Sequence, residues 1–286
     1  AVLASAVSNA GGLGLIGAGG YDANWVRTEI RACKTMTDKP FGVNIMLMSP
    51  HAAEIAKVVV EECVKVVTTG AGSPGIYMEA WKKAGIVVVP VVPSVALAIR
   101  MERQGADAVV AEGTESGGHI GESTTMSLIP QIADAIKIPV IAAGGIADQR
   151  GVLAAFALGA KGVQVGTVLL ATKECPVHEN YKQKVIKAKD TDTVVTGRGS
   201  GAPVRVLKNR MAVEYLNMSM KGVPLIELEK LTLGSLRKAV FDGDLDGGSF
   251  MAGQVSGLVK EVKTVKEVLE ALFDHVNEYK SELEVM

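Results

Sequence analysis

The sequence predicts an α/β fold, a (β/α)8 TIM barrel whose first strand is missing from this chain, and two observations lead there. Apolar Val/Ile/Ala runs recur roughly every 20 to 25 residues with helical segments between them, the pace of βα units. Those runs are continuous rather than alternating, as parallel strands covered on both faces require.

The elements follow in order. Val2 to Gly12 reads as a short helix closed by glycine, and Leu13–Gly17 as a buried strand. Asp22 caps a helix running to about Met36. Phe41–Leu47 is a strand, and Ser49-Pro50 starts another helix, with proline where its missing N–H costs nothing. Next come strand Val64–Gly70, a helix near Tyr77–Ala84, strand Ile86–Val92, helix Ser94–Gln104 and strand Ala108–Glu112. After a glycine-rich loop follow a helix near Thr124–Ile136, strand Pro139–Ala143, helix Asp148–Leu158 and strand Gly162–Val168. These are seven strands where a closed barrel needs eight, so a first strand is expected upstream of Ala1; a seven-stranded open sheet is the competing architecture.

Beyond about Thr193 the rhythm breaks. A helix over Val204–Met220, an Asp/Gly-rich loop over Asp242–Gly248 and a final amphipathic helix carrying Val262, Val265, Leu269, Leu272, Phe273 and Val276 are expected. The resulting division is a barrel domain of residues 1–196 and 259–286, with a small, mostly helical insertion of residues 197–258 over its mouth. The final helix returns to the barrel.

Composition bounds the function. Of 286 residues, 48% are hydrophobic and 21% charged, as in a soluble globular protein. Thirty basic residues against 31 acidic ones create no global field for nucleic acid or membrane. Cys33, Cys63 and Cys175 fall in no metal-binding or redox spacing and read as reduced thiols, pointing to the cytoplasm. No apolar run approaches the roughly 20 residues of a membrane span.

A barrel gathers its chemistry at the C-terminal ends of its strands. Here those ends hold Asn44, Thr68-Thr69-Gly70, Pro93-Ser94, Glu112 to Gly121, Ala143-Gly144-Gly145 and Gln164 to Thr167. Gly144, Gly145, Gly166 and Thr167 lie at the last two ends, where barrels commonly hold phosphate on backbone N–H groups. The competing reading is that these glycines only make turns. His119 stands among glycines, and an imidazole is a side chain suited to donate or accept a proton. His51, His178 and His275 read as surface or structural residues. Asp242, Asp244, Asp246 and Gly247 open like a calcium loop, but the twelfth position is Gly253 rather than a glutamate, so an aspartate-rich turn is expected. No metal site is assigned.

Several segments together resemble the flavin-dependent enoyl-acyl-carrier-protein reductase II, within the wider nitronate monooxygenase (2-nitropropane dioxygenase-like) superfamily. They are Phe41–Leu47, Val66–Gly72, Pro90–Ala98, Glu115–Gly121, Pro139–Ala147, Val163–Thr167 and Gly247–Gln254. The resemblance implies a TIM barrel holding FMN, its phosphate on Gly144, Gly145, Gly166 and Thr167. Asn44, Thr69, Gly70, Glu112, Gly118 and Ala143 would lie on the flavin, with Met251, Gly253 and Gln254 approaching from the insertion. His119 falls on the family's proposed catalytic position. Further implications are NADH or NADPH as co-substrate, a monovalent cation as in some relatives, an enoyl thioester on acyl carrier protein as partner in fatty-acid biosynthesis, and a homodimer. Arg198, Arg205, Lys208 and Arg210 become docking candidates for that acidic carrier. The family's Gly-Gly-Met flavin-contacting strand does not occur in this sequence. Nitronate oxidation by the same histidine and a flavin-free phosphate-ligand barrel are the alternatives.

Overall fold

The computed structural model describes residues 1–274, 276 and 278. Strands β1 (Gly14–Gly17), β2 (Phe41–Met46), β3 (Val66–Gly70), β4 (Val87–Val92) and β5 (Val109–Glu112) lie side by side in sequence order. A two-residue strand, β6 (Gly118–His119), leaves this sheet; β7 (Val140–Ala143) and β8 (Gly162–Gln164) then complete it. Every neighbouring pair in the seven-stranded sheet is parallel, the expected α/β barrel arrangement of seven strands.

Helices α1 (Val2–Asn9), α2 (Ala23–Met36), α3 (Ala52–Glu61), α4 (Gly75–Lys83), α5 (Val95–Arg103), α6 (Thr125–Ala135) and α7 (Gln149–Ala157) cover the outside. Their starts follow local chemistry. Asp22, Ser94 and Asp148 each accept a hydrogen bond from a backbone N–H in the first turn, at Trp25, Leu97, and Arg150 with Gly151. Helix α3 begins later than the sequence suggests, because Ser49 Oγ accepts from the His51 N–H and holds Ser49–His51 as a turn. The last barrel strand also ends early: β8 stops at Gln164, and Thr167–Leu170 forms a short helix, α8.

Alternation along the strands sorts inside from outside. Val43, Ile45, Val67 and Val88 pack with Ile30, Ile55 and Trp81 on the helix side. Val89, Ala108, Val110 and Ala143 pack together within the barrel, with Val66, Val91 and Ile141 against them. Asn44, Thr68 and Glu112 therefore face inward, while Thr69 shares the helix side with Val67.

The remaining elements are α9 (Glu179–Ile186), β9 (Thr193–Thr196), β10 (Val204–Leu207), α10 (Arg210–Met220), α11 (Leu225–Thr232), α12 (Ser235–Arg237) and α13 (Val265–Phe273). Val204–Leu207, expected to be helical, is instead the centre of an antiparallel sheet in the order β6-β10-β9. The proposed boundary after residue 196 thus falls inside the β9–β10 hairpin. Asp244 Oδ1 accepts the Asp246 and Gly247 N–H groups, making the expected aspartate turn. Helix α13 starts with a capping box between Thr264 and Glu267, then returns Leu269 and Leu272 to the barrel core. His275 lies outside the described residues.

No helix among the described residues is long and apolar enough to cross a membrane. The three cysteines form no disulfide; Cys33 and Cys175 are buried and Cys63 is exposed.

Candidate functional site at the barrel mouth

On β2, the Asn44 Oδ1 accepts from Thr68 Oγ1 at 2.9 Å, with the two residues paired across β2 and β3. This fixes the amide and leaves its Nδ2 as a donor at the mouth. Thr68, absent from the expected site, does the positioning there; the Thr69 hydroxyl is buried on the helix side with no partner. Any ligand contact by residue 69 must use its backbone.

Glu112 is in register with Ala143 and Gln164 on β7 and β8, one inward layer at the barrel's end. Burial pushes its carboxyl up to about 7, opposed by the nearby Ser116 hydroxyl. Ser116 Oγ itself makes no hydrogen bond of full geometry, nor does Thr114 Oγ1 in the same loop. Glu115 turns the other way. Its carboxylate accepts the Thr125 N–H at 2.9 and 3.0 Å and the Thr125 hydroxyl at 2.9 Å, fastening the loop to the start of α6. Thr125 Oγ1 also lies 3.0 Å from the Gly144 carbonyl, tying β7's end to the same point.

His119 stands exposed on β6, its backbone paired with Val204 and beside Gly118, whose φ is +84°. The loop and the cover segment interlock around it. Tyr181 donates its hydroxyl hydrogen to the Met251 carbonyl at 2.7 Å, Gly253 N–H donates to Thr167 Oγ1 at 2.9 Å, and Gln254 N–H donates to the Glu115 carbonyl at 2.9 Å. Met251, Gly253 and Gln254 thus lie against the Glu115–Gly118 loop. The Thr167 hydroxyl is engaged with the Gly253 N–H.

The glycines divide into two groups. At Gly144 (φ +90°) a Cβ would lie 2.8 Å from the Gly113 carbonyl, so the fold itself requires glycine there. A Cβ on Gly70 or Gly166 would meet nothing within 4 Å, and Gly166 has an ordinary φ of −129°. Open room at these strand ends, with the Ser116 hydroxyl beside an enclosed carboxyl, fits a bound group.

The basic cluster separates. Arg205 is buried, donating from Nε to the Thr114 carbonyl and from a terminal nitrogen to Thr193 Oγ1, each at 3.0 Å. It braces the β5 loop and is not a docking residue. Arg198 is exposed and pairs with Glu122 at 2.7 Å; Lys208 and Arg210 are also exposed.

The chain is similar to known proteins over most of its length. The nitronate monooxygenase family model matches residues 1–65 and 55–275. The structure of FabK from Thermotoga maritima is 50% identical, with a TM-score of 0.96, covering 99% of this chain and 90% of that one. A probable nitronate monooxygenase from Staphylococcus aureus strain JH9 is 34% identical over 88% of this chain and 84% of its own. The (3aS,4S,5R,7aS)-5-hydroxy-7a-methyl-1-oxo-octahydro-1H-indene-4-carboxyl-CoA dehydrogenase of Mycobacterium tuberculosis is 31% identical over 94% of this chain and 87% of its own.

Proposed function

The chain belongs to the nitronate monooxygenase family of oxidoreductases, and we propose that it is a flavin-dependent enoyl reductase within it. In this reading NADH or NADPH reduces the carbon–carbon double bond of a trans-2-enoyl thioester on acyl carrier protein. The observation that carries it is the 50% identity to FabK, an enoyl-acyl-carrier-protein reductase II, over 99% of the chain, against 34% over 88% for the probable nitronate monooxygenase.

FMN, when bound, supplies hydride chemistry between the nicotinamide and the β-carbon of the enoyl group. The protein's residues bind and orient. Backbone N–H groups of Gly144, Gly145, Gly166 and Thr167 would hold the phosphate. Asn44, positioned by Thr68, would offer an amide donor to the ring, and the backbone of Thr69, Gly70, Gly118 and Ala143 would line it. Met251, Gly253 and Gln254 close the mouth and exclude water. His119 hydrogen-bonds the thioester oxygen as charge builds there, or supplies the α-carbon proton. The exposed Arg198, Lys208 and Arg210 offer the acidic carrier protein a basic approach, and the enzyme works as a cytoplasmic homodimer.

A visible absorption spectrum followed by anaerobic NADH titration tests the cofactor, and NADH-dependent reduction of a crotonyl thioester tests the reaction. Replacing His119 with Ala should lower turnover by roughly 10²- to 10⁴-fold, with unchanged melting because the side chain is exposed. Full activity in His119→Ala removes the histidine's role. Nitronate is the second reading, favoured by the family model. Oxygen uptake with a nitronate, and no enoyl reduction, would decide for it.

A further inference from the structure

A cavity of about 460 Å³ lies between α9 and the foot of the β9–β10 hairpin, and it shares no residue with the barrel's strand ends. Asn180, Gln183, Lys184 and Lys187 recur at helical spacing, so one face of α9 forms one wall. Asp192, Leu207 and Lys208 form the other, joined where the Lys208 N–H donates to the Asp192 carbonyl at 2.8 Å, and Leu245 of the aspartate turn completes the lining. The volume suits a small molecule, whose pockets run from roughly 300 to 1,000 Å³.

Three ammonium groups meet here without counter-charges: among the described residues, none of Lys184, Lys187 and Lys208 forms an ion pair. Lys184 is half-buried, its Nζ 5.4 Å from the centre of the Phe250 ring. Burial pushes its ammonium down, against the opposing pull of Asp192 and Asp246. Neither carboxylate closes on it. Asp192 Oδ2 accepts the Lys189 N–H at 2.9 Å, and Asp246 stands exposed on its turn. Glu179, at the start of α9, accepts from Gln183 Nε2 at 3.0 Å. An enclosed cation that the protein leaves unpaired is suited to an anion from outside.

The rest of the lining narrows the class of anion. Ala188 and Leu207 are buried and Leu245 is exposed, which sets an apolar surface beside the cationic one. A ligand that meets both has a phosphorylated end and a flat apolar end. We propose that this cavity binds a nucleoside diphosphate group, its phosphates on Lys184, Lys187 and Lys208 and its base against Ala188, Leu207 and Leu245. Such a group occurs in a free nucleotide and in the adenosine half of NADH or NADPH. The cavity and the barrel mouth share a wall: Lys184 lies over Phe250, Tyr181 packs edge-on against the same ring at 4.9 Å, and the next residue, Met251, reaches Gly118. The site itself does not depend on the flavin reading; only the second source does.

The experiment is calorimetric titration of the FMN-loaded full chain with ADP and with adenosine, for wild type, Lys184→Gln and Lys187→Gln. ADP should bind wild type and lose about tenfold in affinity in each variant, while adenosine binds more weakly than ADP throughout. Lys189→Gln, an exposed lysine outside the lining, should bind ADP as wild type does. Wild type that binds no ADP overturns the proposal, as does adenosine binding as tightly as ADP, or an ADP affinity unmoved in Lys187→Gln, whose exposed side chain leaves folding intact. Competition separates the two sources. ADP that raises the KM for NADH without lowering kcat assigns the cavity to the co-substrate, and ADP that binds without touching that KM assigns it to a free nucleotide. A chain that binds no FMN defeats the flavin reading alone, since ADP binding that weakens in the two lysine variants still reports this cavity.

Discussion

The turn after β8 and the seam between the β5 loop and the cover segment both use glycine, for opposite reasons. At Gly166 φ is negative and a Cβ would enter empty space. At Gly117 a Cβ would lie 2.6 Å from the Ala252 Cα and carbonyl carbon, and at Gly253 it would lie 2.6 Å from the Glu115 carbonyl. The first glycine leaves room for something outside the protein; the other two let distant parts of the chain touch backbone to backbone. Glycine in a candidate site thus marks ligand access only where the protein has no packing use for it.

Three substitutions test that contrast. Gly117→Ala should have the largest effect, since backbone atoms must shift to admit the methyl group. About 3 kcal/mol of stability is expected to go, seen as a fall of roughly 6 °C or more in melting temperature. Gly166→Ala should melt within about 0.5 kcal/mol of wild type, while binding FMN about tenfold more weakly in a flavin-fluorescence titration. An unchanged FMN affinity would mean that the room at Gly166 is not ligand space. Tyr181→Phe should be mildest. It removes the 2.7 Å hydrogen bond to the Met251 carbonyl and should cost about 1 kcal/mol in chemical denaturation.

Much of the barrel was legible because its signals are local. Asp22, Ser94 and Asp148 cap helices through neighbouring N–H groups, and the strands announce themselves as uninterrupted apolar runs. What failed depends on partners distant in sequence. Val204–Leu207 is a strand because Thr193–Thr196 and Gly118–His119 pair with it, and the second partner lies some 85 residues away. Thr68 and Thr69 could not be told apart, since both faces of a covered parallel strand are buried and only the register shows which side is inward. Arg205 looked like surface charge until the fold placed two oxygen acceptors around its guanidinium. At the candidate site, the sequence marked His119, the glycines and Met251–Gln254; it gave no signal for Tyr181 as their anchor, or for Thr125 as the point joining loop, helix and β7.

The pairing of β6 with β10 also bears on how the protein can be re-engineered. Because Gly118 and His119 form one strand of a sheet whose other strands come from 193–207, the histidine loop and the cover are inherited as one piece, though written in separate stretches of the chain. A chimera that exchanges the cover with a relative's would have to carry residues 113–121 with 193–207 and 249–254; moving any of these alone would leave a strand without its partner.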